Sequence, residues 1–345
     1  MTLSWNRSDV PFGGINMIFA GDFAQLPPAM GSKSAALYGP CNGMYANSKR
    51  SQEMAMGKVI WHQVTTVVIL CQNMRQTSQT LEDEKLQTAL VNMRYKACTR
   101  DDINFLHSKI SGHKGTYKIT DQEFRNVSII TGLNVHKDKY NRIGAVRFAE
   151  ETGQELMAFY SEDHMSASED DARQPRNRGL RSDLTSISMC LQDLLWNAVP
   201  SVNDKHLPPV LYLCKGMPVI IRLNTATELC ITKGQEGIVY DWKDAIGSHG
   251  KKAITISCSL PDDTTVRISR SQVHMLLNFA MTDFSSQGKT RAFNPVDLNN
   301  CHTHQSYYMV LSRTATASGS FILPAMASST LSWVSDTPIL IWTRT

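Results

Sequence analysis

The chain has 345 residues, 42% of them hydrophobic and 19% charged, with a formal net charge of +4. That is enough apolar material for one large core or two domains, and too little basic excess to demand a polyanionic partner. Eight cysteines occur without a C-x-x-C pair, which argues against a disulfide scaffold or zinc ribbon and for reduced thiols in an intracellular protein. No apolar run approaches the roughly 18 residues needed to cross a bilayer, so no membrane partner is expected.

In chain order, the first informative stretch is Gly13 to Pro28, GGINMIFAGDFAQLPP. Ile15 to Ala20, bounded by Gly13-Gly14 and Gly21, has the pattern of a strand covered on both faces in a parallel α/β sheet. Such strands deliver their carboxyl ends to a ligand crevice. Asp22 and Gln25 stand at that end, followed by the rigid Pro27-Pro28. A carboxylate can act on a metal-bound water, and an amide that donates and accepts can sense a terminal phosphate. A plain strand with a polar turn is the alternative. Only 12 residues precede Gly13, so the expectation is an amino end truncated within an α/β domain.

Residues 29–57 read as loops with a short helix, and Val64 to Leu70 (VTTVVIL) as a second buried strand. Its end carries the polar cluster Gln72, Asn73, Met74, Arg75, Gln76. Helical spacing of Leu86, Ala89, Leu90 and Met93 predicts a helix within Thr80 to Tyr95, acidic in its first turn. Thr99 with Asp102 signals the start of another. Val127 to Thr131 predicts a strand and Asn134 to Arg142 the helix after it, with Asn134 either an N-cap or a nucleic-acid contact.

Glu150 to Ser186, with four arginines between Arg173 and Arg181, reads as a mobile surface segment. An amphipathic helix follows from Ile187 to Trp196. Beyond Leu211 come short strands at Met217 to Leu223, Gly237 to Trp242, Lys252 to Ser259 and Thr264 to Ile268, which suggest a small β-barrel. Within it Arg222, Lys233 and Trp242 are candidates for single-strand contacts, Trp242 being as readily core.

Gln287-Gly288-Lys289-Thr290 contains G-K-T and invites a P-loop reading, which its spacing rejects. A P-loop needs glycine five residues before the G of G-K; Asp283 stands there, and a carboxylate would repel phosphate. The pairs Gly57-Lys58 and Gly250-Lys251 fail likewise, with Gln52 and Ala245 at that place. Cys301-His302-Thr303-His304 lacks a second ligand pair at zinc spacing, so no metal site is assigned.

Four strings in order resemble one family. GDFAQLPP resembles motif III of the Pif and RecD-like superfamily-one DNA helicases, especially those of fungal Helitron-type transposons. Leu70 to Gln76 resembles motif IV, MTDFSSQGKTR (Met281 to Arg291) motif V, and YYMVLSRT (Tyr307 to Thr314) motif VI. The string from Ile129 to Asn141 and the stretch Lys215 to Trp242 resemble the start of the second RecA-like domain and its small SH3-like module.

The resemblance implies an α/β fold of RecA-like parallel sheets, the first incomplete. Residues 1–115 would be the carboxyl part of a first domain and 116–345 a second, with an inserted barrel at about 211–272 and a mobile loop at about 150–186. It implies an ATP-dependent DNA helicase, running 5′ to 3′, with ATP and Mg²⁺ as cofactors, single-stranded DNA as partner, nuclear location, and work in DNA repair, recombination, telomere maintenance or transposon replication. Gln25, Arg75 and Arg313 take the phosphate-facing roles, with Asp22 and Gly288 completing the nucleotide set. Ser286, Gln287, Thr290 and Asn134 take the nucleic-acid positions. The departure is the missing P-loop and acidic Mg-binding motif, so the chain alone is expected not to hydrolyse ATP. A non-catalytic single-strand-binding remnant is the other reading.

Overall fold

In a computed structural model the structure describes residues 11–27, 36–37, 49–70, 72–76, 80–112, 118–165, 187–200, 205–224, 227–229, 231–242, 254–259 and 265–324. The arginine-rich run Arg173 to Arg181 and the tail after Pro324 lie outside them.

The centre is a four-stranded, wholly parallel sheet. Its strands are β1 (Ile129–Thr131), β10 (Ala280–Thr282), β11 (Asn294–Asp297) and β12 (Ser320–Ile322), in the order β10-β1-β11-β12. Both faces must be covered in such a sheet, and the buried Ile130, Met281, Val296 and Ile322 are apolar accordingly. Residues 109–111 extend it, with Ile110 bridging Ile322 in parallel.

Helices α2 (Leu81–Arg94) and α3 (Arg100–Ser108) begin as the sequence predicts. Thr80 and Thr99 each form a capping box, with Asp83 and Asp102 at the third position. Their stripe of Leu86, Leu90, Met93 and Leu106 packs into the same core as the sheet. Residues 81–108, expected on the first-domain side of a boundary at 115, share the parallel sheet's core.

After β1 runs α4 (Asn134–Thr152), ten residues longer than predicted, ending at Gly153 with φ 63°. Gly144 lets α4 approach the sheet: a Cβ there would lie 2.5 Å from the Phe279 ring. Asn141 then satisfies the sheet edge. Its Oδ1 accepts from the Phe279 and Ala280 amides, each at 2.9 Å, and its Nδ2 donates to the Ala280 carbonyl.

Between α4 and β10 lies an all-β module with one helix. Its strands are β2 (Met157–Tyr160), β3 (Glu162–Met165), β4 (Val210–Leu213), β5 (Pro218–Ile221), β6 (Glu236–Ile238), β7 (Ile254–Ser259), β8 (Thr265–Ser271) and β9 (Met275–Leu277); its helix is α5 (Met189–Asn197). They form three small antiparallel sheets, β2-β4, β3-β8-β7 and β6-β5-β9, rather than one continuous sheet among the described residues. The segment expected to be mobile from residue 150 corrects in part: residues 150–152 end α4, and 157–165 are paired strands. Charge density misled there, because a buried ion pair, Asp163 with Arg270, anchors β3 to β8 at 2.8 Å.

Two expected strands are absent. Ile15 to Ala20 and Val64 to Leu70 belong to none of the sheets, and Ile18 is 94% and Leu70 90% exposed. Apolar, β-branched composition says what would suit a doubly covered strand, but the strand forms only where neighbours supply backbone partners. Trp61, ending α1 (Lys49–Trp61), joins this region by edge-on packing against Phe19 and Phe23, at 5.5 and 6.1 Å between centroids.

Candidate phosphate-facing cleft

The polar tip after residue 20 is a tight turn. Asp22 Oδ1 accepts from the Ala24 amide at 2.9 Å, and the Gln25 amide donates to the Asp22 carbonyl at 3.1 Å. This self-bonded turn is the Asx geometry that short carboxylates favour. It leaves the Gln25 side chain pointing at motif V, where its Oε1 accepts from Gln287 Nε2 at 3.1 Å.

Arg75 is fixed by a second such turn. Asn73 Oδ1 accepts from the amides of Arg75 and Gln76. The Arg75 guanidinium then donates from Nε to Thr290 Oγ1 at 3.1 Å and from Nη1 to the Ser312 carbonyl at 2.9 Å. Side by side, Gln76 Nε2 donates to the carbonyls of Ser312 and Thr314. Two residues of one turn thus strap residues 72–76 onto 312–314.

Helix α6 (His304–Leu311), capped by Thr303, delivers Arg313 just past its carboxyl end. Arg313 is 1% exposed; Nε donates to the Met309 carbonyl and Nη2 to Ser312 Oγ, both at 2.9 Å. Its remaining nitrogen, Nη1, is buried without a partner. Burial first, and then the charge of Arg75, push the guanidinium down to about 10. Two cations meet here and no carboxylate is hydrogen-bonded to either among the described residues.

Asp22 has been claimed. Its Oδ2 pairs with Arg94 Nη1 at 2.7 Å, and the same nitrogen donates to Tyr308 OH at 3.2 Å. The site thus holds one unanswered guanidinium donor, Arg313 Nη1, of the kind a phosphate oxygen accepts from, while the Asp22 carboxylate that could have met Mg²⁺ is held by Arg94 instead.

Of the motif V site residues Ser286 turns inward, while Gln287, Gly288 and Thr290 are exposed. Ser286, fully buried, donates to the Asp283 carbonyl and touches Met309 Sδ. Gly288 takes φ 84°, a left-handed value that glycine adopts without strain. Thr290 and Gln287 meet Arg75 and Gln25 as described. Lys289, the lysine of the rejected G-K-T, donates to the Gly234 carbonyl at 3.0 Å and pairs with Glu236. It serves no phosphate loop.

Asn134 is bonded elsewhere, to His206 and Lys137, and is not the N-cap of α4: Leu133 holds that position without a side-chain cap. Trp242 packs edge-on against Phe159 and joins the module core. Arg222 donates to the Lys205 carbonyl. Reading the sequence assigned no role to Gln76, Arg94 or Tyr308. The Asn73-x-x-Gln76 spacing was a usable signal for the first. Arg94 looked like an ordinary last-turn cation on a helix.

With this geometry in view, comparison with known proteins is specific. The PIF1-like helicase family model matches residues 2–94. The Pif1 helicase from Candida albicans shares the fold with a TM-score of 0.58 at 19% identity, over 95% of this chain and 69% of that one. Bacteroides Pif1 bound to single-stranded DNA gives 0.57 at 18%, over 95% and 66%. Over residues 2–94 the sequence matches the PIF1-like helicase model, and over most of its length the fold is similar to that of solved Pif1 helicases. A further Pif1 structure, of two coordinating helicases on forked double-stranded DNA, gives 0.55 at 18%. The chain spans 64% of that protein's length, so about a third of it has no counterpart here. No curated protein matches.

Proposed function

We propose that this chain carries the glutamine and arginine half of the ATP cleft of a Pif1-like DNA helicase, with Gln25, Arg75 and Arg313 facing the terminal phosphate. The observation that carries this is the buried, unpartnered Nη1 of Arg313 beside a second guanidinium. An isolated buried charge is costly and persists where an anion answers it. An arginine so placed stabilises charge on a transferring phosphoryl group. Gly288 and Thr290 line the same cleft, Mg²⁺ would arrive with the nucleotide, and single-stranded DNA translocated 5′ to 3′ is the proposed substrate. Asn134 and Gln287 are its proposed contacts on this chain.

Residues 1–76 on this reading belong to the first RecA-like lobe, and the β module corresponds to the SH3-like insert. The GDFAQLPP string supports kinship with Helitron-type helicases and hence a nuclear role in transposon replication, DNA repair, recombination or telomere maintenance. These 345 residues contain no P-loop string, so the purified chain is expected to show negligible ATP turnover. Thermal shift supplies the positive arm: inorganic tripolyphosphate should stabilise the wild-type chain and leave Arg313→Met unmoved. Robust ATP turnover lost in Arg313→Ala would overturn the account of the missing phosphate loop.

The Arg94 lock on Asp22 favours a second reading, a non-catalytic single-strand-binding remnant. It expects salt-sensitive binding to oligo(dT) with no effect of tripolyphosphate on either variant.

A further inference from the structure

The loop 287–290 is four residues long and touches three bodies. Gln287 meets the 21–27 turn through Gln25, and Thr290 meets the 72–76 turn through Arg75. Between them the left-handed Gly288 turns the chain, and Lys289 reaches the other way, into the β module, to the Gly234 carbonyl and the Glu236 carboxylate. Those acceptors flank the start of β6. The Gly234 amide donates to the Ile221 carbonyl at 2.8 Å, and just beyond β6 the Val239 amide donates to the Met217 carbonyl at 2.9 Å, so the lysine grips the strand that closes the module's β6-β5-β9 sheet.

We propose that Lys289 is a positioning residue that fastens the β module to the cleft loop, making loop 287–290 a mechanical link between the phosphate-facing set and the module. The physical reason is economy of covalent distance. Adjacent residues of one short loop cannot move independently, so freeing Arg75 from Thr290 loosens the loop that carries Lys289. Lys289 is only partly exposed and has two acceptors at once, which restrains it more than a single surface ion pair would. The link rests on the cleft reading only for the kind of ligand that would draw Arg75 away; the coupling itself is measured with no ligand present.

The experiment is amide hydrogen exchange on the full chain, read at the amides of Gly234 and Val239. Lys289→Met is expected to raise exchange there about fivefold, while Lys289→Arg keeps it near wild type. The charge swap Lys289→Glu with Glu236→Lys should restore most of the protection. Thr290→Val, which removes only the acceptor for Arg75 on the far side of the loop, should raise exchange at the same amides about twofold. A merely local role for Lys289 predicts no response to Thr290→Val, and that result would overturn the link, as would failure of the swap to restore protection. Because no nucleotide or DNA enters, a failure of the helicase reading would leave these exchange rates as expected.

Discussion

A guanidinium that is 1% exposed and lacks a partner on one nitrogen destabilises the protein that holds it. Arg313 keeps two hydrogen bonds, to Met309 and Ser312, but these do not remove the cost of a buried charge beside Arg75. Arg313→Met should therefore stabilise the chain by about 1–2 kcal/mol, because it exchanges an uncompensated charge for an unbranched apolar side chain. Urea unfolding checks it. A loss of stability instead would mean that the two retained bonds outweigh the burial and that no anion is needed to explain the residue. At this scale the sequence was legible in part. The strings holding Gln25, Arg75 and Arg313 stood out, and the fold ties the first two to loop 287–290 and the last two to Ser312. Arg94 did not stand out, because a last-turn arginine on a helix has an adequate local explanation and its partner Asp22 is 72 positions away.

At the scale of elements, local signals carried well and distant pairings did not. The Thr99 cap, the apolar stripe of α2, the run of β1 and four of the module's strands follow from spacing and turn chemistry alone. The pair Asp163 and Arg270 is 107 residues apart and looked like solvated charge in a polar stretch. Bidentate bonds at 2.8 Å, with Gln192 and the Leu207 carbonyl filling remaining sites, make it a satisfied buried ion pair between β3 and β8. Breaking it should hurt far more than deleting it. Arg270→Met leaves Asp163 buried and unanswered and should cost about 3–5 kcal/mol, whereas Asp163→Leu combined with Arg270→Met should fall within about 1 kcal/mol of wild type. Denaturant midpoints of the two singles and the double decide this, and equal losses in all three would show that the pair is no specific link.

For the whole molecule, the exposed apolar segments are the feature that sequence alone misjudged. Composition identified 15–20 and 64–70 as interior material, and interior material is what they are made of. In this structure they lie open, with Val67 at 77% and Val68 at 79% exposed, while Trp61 packs edge-on against Phe19 and Phe23 beside the first run. Exposed apolar runs of high β propensity pair with whatever strand edge or apolar surface they meet. The isolated chain should therefore self-associate in a concentration-dependent way at physiological salt, and because the drive is apolar, added salt should not dissolve the assemblies. Ile18→Lys with Val68→Lys places charge on side chains already in water, so the fold should lose less than about 0.5 kcal/mol. Sedimentation velocity should then shift toward the monomer while the far-ultraviolet spectrum stays unchanged. If the double variant associates as strongly as wild type, these two runs are not the surface through which copies meet, and the parallel sheet's outer strand β10 becomes the next place to put a lysine.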